Sequence, residues 1–262
     1  MINIITRYSR DEGLKRTVSS INEQNLNEEI THYITYEEKI PIASDYEFLK
    51  NTVFVKVPKM QIIDYLGLYY HHNDYHTDYV NFNLNKDCNY YYSKTKPDVE
   101  KINYPVKKFE GNGFWCLTLN KSVIPYCEHF PPNIYFKIVE EKIKDGWILY
   151  LDDGDTFEEN NSLITLIEEV KRHDEDTFHI FKLMNRGRKY TTPREGIWNT
   201  HYKTGHPLVL GECSGSCILF HSKWKEYTKW DEFRKADYRT ARSLETIIPK
   251  RNLFDEVIIY TP

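Results

Sequence analysis

No stretch of this sequence approaches the roughly 20 consecutive apolar residues that a membrane-crossing helix requires, and its opening run MINIITRYSR lacks the charged-then-apolar order of a secretory signal. A soluble, cytoplasmic protein is the expectation. Cysteine is scarce: the five thiols at Cys88, Cys116, Cys127, Cys213 and Cys217 form an odd set with no CxxC spacing. That excludes a secreted disulfide framework and an ordinary zinc knuckle, and reduced thiols are expected. Nor is there a large excess of either charge. Lys and Arg number 35 against 39 Asp and Glu, a formal net charge of -4, which argues against a protein held on nucleic acid mainly by counterion release. Internal repeats and low-complexity linkers are also missing.

What the chain does have is bulk. Aromatic residues make up 15% of its 262 positions, 21 of them tyrosine, and such side chains contribute heavily to a core when buried. The abundance of Lys, Asn, Ile and Tyr also reflects an AT-rich coding bias, so a tyrosine is not by itself a functional signal. The length suits one large α/β domain over residues 1–262.

Apolar residues 2–5 read as a strand, and Leu14, Val18 and Ile21 then fall on one helical face, with Ser9 and Glu12 spaced as a capping box. Strands are expected at 32–36 and 53–57, the start of an alternating α/β sheet. Residues 61–110 lose periodicity and are expected to form loops and short elements. Order returns with a helix over 133–144, a turn at Asp145 and Gly146, and a strand over 147–151. A helix over 162–171 follows, with strands at 177–184, 216–220 and 257–260, a polar loop over 185–207, and a helix near 237–247.

Between the strand ending at Leu151 and the helix starting at Ser162 stands Asp152-Asp153-Gly154-Asp155. In open α/β sheets ligands bind outside the carboxyl ends of the strands, and three carboxylates crowded there repel one another unless a cation joins them. Oxygen-only donors suit Mn²⁺ or Mg²⁺, ions that complete their shells with water and phosphate oxygens. The same four residues also describe a solvated turn in which one Asp caps the next helix.

The segment Trp147-Ile148-Leu149-Tyr150-Leu151-Asp152-Asp153-Gly154-Asp155 resembles the strand and DxD motif of GT-A glycosyltransferases, family 2 in particular. The opening Ile2-Asn3-Ile4-Ile5-Thr6-Arg7-Tyr8, with the helix from Leu14 to Ile21, resembles their first strand, nucleotide loop and first helix. A looser likeness extends to the glycan-building transferases of large DNA viruses, which would place the protein in a host's cytoplasm. The resemblance implies a Rossmann-like, mainly parallel mixed sheet with helices on both faces. It also implies transfer of a hexose-type unit from a nucleotide sugar, by default UDP-linked, to a glycan hydroxyl. Residues 1–130 would form the nucleotide side, and 131–262 the DxD and acceptor side.

By position, Asp153 and Asp155 would be the DxD pair at the metal, with Asp152 in support. Thr6 and Arg7 would line the nucleotide pocket, and Glu37 or Glu38 would meet the base or ribose. An inverting enzyme needs a carboxylate to accept the acceptor proton. Asp237 is the first candidate and Glu212 the second, with Asp231 and Glu232 as neighbours. His221 is a candidate third metal ligand. Arg186, Arg188 and Lys189, with Arg194 beyond, form a positive loop suited to a diphosphate or an anionic acceptor, or simply to solvent. Trp198 and Tyr202 could stack on sugar faces or fill the core. Two other readings stay open. His72, Asp74, His76 and Asp78 alternate as on one strand face, which suggests a metal hydrolase. A catalytically silent nucleotide- or carbohydrate-binding module is the second.

Overall fold

A computed structural model of the chain describes residues 1–24, 30–41, 48, 50–58, 68–69, 90–93, 106–108, 115–118, 133–157, 161–187, 189–230 and 236–262. Its strands are β1 (Ile2–Arg7), β2 (Ile30–Tyr36), β3 (Thr52–Lys56), β4 (Leu68–Tyr69), β5 (Tyr90–Ser93), β6 (Val106–Lys108) and β7 (Trp115–Thr118), then β8 (Trp147–Asp152), β9 (Thr156–Phe157), β10 (Thr177–Asn185), β11 (Tyr190–Thr192), β12 (Ile218–His221) and β13 (Lys250–Thr261). The main helices are α1 (Asp11–Asn22), α2 (Ile134–Glu140), α3 (Ser162–Lys171) and α4 (Ala236–Ile247).

The chain divides into two compact units. One comprises Met1–Met60, Pro132–Asp231 and Ala236–Pro262, and the other Gln61–Pro131 with Glu232–Lys235. In the second unit the described strands form an antiparallel sheet in the order β4-β5-β7-β6. The first unit is built on a nine-stranded sheet in the order β3-β2-β1-β8-β12-β10-β13-β9, with β11 added to β10. β1, β2, β3 and β8 are mutually parallel. β12 runs against both β8 and β10, so β10 and its parallel neighbour β13 point the same way as β8. This is the mainly parallel mixed α/β sheet expected from the sequence.

The central strands are apolar in consecutive rather than alternating positions because both sheet faces are covered. Ile4, Ile5, Leu149 and Leu151 are all fully buried, each stabilising the fold by roughly 1.5–3 kcal/mol through burial. α1 buries Gly13, Leu14, Thr17, Val18, Ser20 and Ile21 along one stripe. α3 does the same with Leu163, Leu166, Ile167 and Val170, over the bounds the periodicity predicts.

Register places the functional edge. Arg7, the last residue of β1, pairs with Asp152, the last of β8, and with Thr35 of β2. At β13 the pairing of Tyr260 with Thr156 draws the far side of the acidic turn against a second strand end. The turn is therefore held by two strands on the sheet's carboxyl edge.

Several local expectations differ from what is found. The helix expected over 133–144 stops at Glu140, although Ile143 beyond it is still buried. The loop expected over 185–207 holds β11, a short helical turn at Glu195–Ile197 and a wider π turn at Trp198–Tyr202. The strand expected over 257–260 is the end of the twelve-residue β13, whose middle carries exposed Asp255 and Glu256 and whose pairing shifts register near Lys182. Ser9 does not cap α1. Arg10 holds the cap position without a side-chain cap, and the Ser9 hydroxyl goes elsewhere.

Candidate active site

The acidic turn distributes its three carboxylates to three environments. Asp152 is half exposed, and its Oδ1 accepts a 2.7 Å charged hydrogen bond from Arg7 Nη2. Arg7 is fixed further by Asn133, whose Oδ1 accepts from Nη1 at 3.0 Å, and its guanidinium lies over the Phe136 ring. Asp153 is buried at 6% exposure and accepts from Ser9 N (3.0 Å), Arg10 N (2.5 Å) and Ser9 Oγ (2.8 Å), all on Oδ2. Asp155 is equally buried, at 4%, and has one side-chain donor, Ser216 Oγ at 2.6 Å, with the Asp152 amide at 3.1 Å. Burial first, and then the nearby Asp152 carboxylate, push the Asp155 carboxyl up to about 7.

α1 supports the turn from below. Thr17 Oγ1 donates to Asp155 O at 2.8 Å and accepts from Gly154 N at 2.9 Å. Gly154 sits at φ 105°, where a side chain would be strained, and a Cβ there would approach Pro262 and the Arg16 and Arg10 guanidinium groups. A Cβ on Gly13 would meet the Asp153 backbone at 3.0 Å, so helix and turn touch main chain to main chain.

The 3₁₀ turn Gly215–Cys217, which opens β12, also reaches the acidic turn. Ser216 points to Asp155, while Gly215 lies under the Trp230 ring, where a Cβ would meet Cη2 at 3.0 Å and Asp237 Cβ at 3.9 Å. Asp237, in the first turn of α4, thus stands beside this turn. Burial raises its carboxyl pKa; Tyr238 N opposes this, Asp152 adds to it, and Arg239 and Arg7 oppose it. The three carboxylates of the acidic turn, one arginine and a fourth carboxylate from the far half of the chain therefore share a neighbourhood.

Other expected site residues lie in different settings. Glu212 is buried, and Arg194 binds it through N (2.9 Å), Nε (2.5 Å) and Nη2, so its carboxylate is committed to an ion pair. This corrects both the reading of Glu212 as an open base and that of Arg194 as an anion-binding side chain. Thr6 is fully buried on β1 with its hydroxyl 2.8 Å from His32 Nε2, which removes it from any open pocket. Glu37 follows β2 at the carboxyl edge and accepts from Tyr135 Oη at 2.7 Å. Arg186 is exposed and stacks over Tyr260 at 4.2 Å.

His221 is the clearest correction. Because β12 is antiparallel to β8, His221 pairs with Trp147 at the start of that strand, and its Nε2 lies 3.3 Å from Asp145 and 3.6 Å from Glu175. It sits at the amino edge of the sheet, opposite the acidic turn. Trp198 and Tyr202 are fully buried core residues rather than a stacking platform. Arg188, Asp231, Glu232 and the run from His72 to Asp78 lie outside the described residues.

Among the described residues, no group of three or more His, Cys, Asp or Glu is arranged to hold a metal by itself. The residues that could take part in holding an ion are fewer: Asp155, buried and accepting from Ser216 Oγ, and the half-exposed Asp152. Two carboxylates suit a hard divalent cation that takes its other ligands from water and phosphate, and do not make the closed nitrogen and sulfur shell of zinc.

Comparison with known proteins agrees at the level of fold. No protein-family model matches the sequence, and no curated protein does. Among solved structures, a crystal structure of S. aureus TarS residues 1–349 is similar at TM-score 0.52 and 10% identity over 99% of this chain and 60% of that one. A longer S. aureus TarS structure gives TM-score 0.51 and 6% identity over 99% of this chain and 36% of that one. The chain thus spans little more than a third of the longer protein. At these identities the likeness is one of fold alone, a GT-A-like α/β architecture.

Proposed function

We propose that this chain is a nucleotide-sugar glycosyltransferase that uses Mn²⁺ or Mg²⁺ and transfers a hexose-type unit to a glycan hydroxyl with inversion. The observation that carries this is the turn Gly215–Cys217 at the carboxyl edge of a GT-A-like sheet, whose Ser216 donates to Asp155 while the Cβ position of Gly215 lies 3.9 Å from Asp237 Cβ, beside the Arg7–Asp152 pair. Asp155, with Asp152, would hold the ion, which when bound supplies Lewis acidity toward the departing diphosphate. Asp237 is the base in this reading. It takes the proton of the acceptor hydroxyl as that oxygen bonds to the anomeric carbon, while the bond from that carbon to the phosphate oxygen breaks and the nucleoside diphosphate leaves with the electron pair. A carboxylate whose affinity for protons is raised by burial serves this role better than one at its ordinary value. Glu212, neutralised by Arg194, does not.

The test is turnover of a nucleotide-sugar panel with Mn²⁺ or with chelator. TarS has been crystallised with UDP and with UDP-GlcNAc, so these head the panel. Metal-dependent release of one nucleoside diphosphate, abolished by Asp155→Ala, supports the reading. A silent binding module would bind without turnover. A hydrolase would ignore the nucleotide.

A further inference from the structure

We infer that Asp153 is a positioning residue that latches the loop between β1 and α1 onto the acidic turn, and that it is not a metal ligand. The inference rests on the proposed reading only in taking that loop, residues 8–10, to be where the nucleotide binds. A helix leaves its first backbone N–H groups without partners, and a side chain at the cap position usually satisfies one of them. α1 has Arg10 at that position, with no side-chain cap. The missing acceptor comes from a strand end 143 residues away: Asp153 Oδ2 receives Arg10 N at 2.5 Å and Ser9 N at 3.0 Å. A carboxylate at a helix amino terminus is also favoured by the helix dipole.

The remaining contacts decide against a ligand role. The Ser9 hydroxyl lies 2.8 Å from Oδ2 and 3.0 Å from Oδ1, and Arg10 Nη2 stands 3.6 Å from Oδ1 while donating to Asp153 O at 3.1 Å. Oδ2 is thus surrounded by donors, and Oδ1 faces a cation that would repel a second one. The close approach of Gly13 to the Asp153 backbone fixes the main chain from which that side chain reaches the loop. Asp152 meanwhile holds Arg7 at the other end of the loop. The two adjacent carboxylates therefore clasp the loop from both sides, which ties its shape to that of the metal-binding turn.

The experiment compares wild type, Asp153→Asn, Asp155→Asn and the milder Ser9→Ala by amide hydrogen exchange and by Mn²⁺ titration. Exchange at Ser9 and Arg10 is expected to speed up about tenfold or more in Asp153→Asn, with a smaller increase in Ser9→Ala and little in Asp155→Asn. Mn²⁺ affinity should stay within about threefold of wild type in Asp153→Asn and fall at least about tenfold in Asp155→Asn. Nucleotide affinity in Asp153→Asn should drop while Mn²⁺ affinity holds, a split that general destabilisation would not give. Unchanged exchange at Ser9 and Arg10, or loss of Mn²⁺ binding in Asp153→Asn comparable to that in Asp155→Asn, overturns the inference. If wild type binds neither Mn²⁺ nor any nucleotide, the functional reading fails, and the exchange measurement still decides whether the latch exists.

Discussion

Gly13→Ala opposes two well-defined effects. Alanine inside a helix is favoured over glycine by about 1 kcal/mol, so at an open helical site the change would stabilise. At Gly13 the added methyl would meet Asp153 C and O, both at 3.0 Å, and Oδ2 at 3.2 Å. Two of those atoms belong to the peptide between Asp153 and Gly154, whose N–H donates to Thr17 Oγ1 and whose carbonyl accepts from Arg10 Nη2, so they cannot rotate away as a side chain would. Overpacking of this kind costs about 1–3 kcal/mol, which cancels the gain and leaves a net loss of up to about 2 kcal/mol, or up to about 4–8 °C in Tm at about 2–4 °C per kcal/mol for a domain of this size. Thermal unfolding by circular dichroism reads it, with Gly196→Ala as the control because a Cβ there meets nothing within 4 Å. A Gly13→Ala protein stabilised by about 1 kcal/mol, as at an open helical site, would refute the claim that α1 and the acidic turn touch main chain to main chain.

Three further outcomes follow from the same geometry. Ser216→Ala removes the side-chain donor to Asp155, and Mn²⁺ affinity should weaken by about tenfold or more, read by calorimetric titration. Glu140 is buried beneath Tyr150 and Thr228, and burial raises its pKa from 4.5 to about 7. A group that binds its proton more tightly when folded stabilises the fold below pH 4.5 and loses that contribution as pH rises through 7; the loss of up to about 3 kcal/mol should disappear in Glu140→Gln when denaturant midpoints are followed from pH 5 to 8. Glu212→Gln, which removes the charge of a buried carboxylate that Arg194 binds through N, Nε and Nη2, should lower the denaturant midpoint, and turnover should keep its dependence on Asp237.

The parts of this fold legible in the sequence are those whose signal is local. β1, β8 and α3 declare themselves by apolar runs or a single helical stripe, and the acidic turn by its place directly after a buried strand. β13 was only partly visible because Asp255 and Glu256 interrupt its apolar pattern where the pairing shifts register. The site is less legible because its members meet through tertiary register. Ser216, Asn133 and Thr17 carry no motif, yet they hold Asp155, Arg7 and Gly154. Arg10 left no trace, because the spacing of Ser9 and Glu12 puts the cap one residue earlier than the structure does. His221 was misplaced for a topological reason: sequence does not say that β12 runs against β8, and that reversal carries its last residue to the opposite edge. Glu212 looked available because its partner Arg194 lies 18 residues earlier, in a segment read as loop.

The central claim is that the acidic turn holds a metal and, through it, a nucleoside diphosphate. Calorimetric titration of UDP and other nucleoside diphosphates, with Mn²⁺ and with chelator, into wild type and Asp155→Ala tests it most directly. The account predicts that wild type binds one of them with Mn²⁺, that chelator removes the binding, and that Asp155→Ala does not restore it at any Mn²⁺ concentration that leaves the fold intact. Equal binding by Asp155→Ala in chelator, or no binding by wild type with metal present, would contradict it.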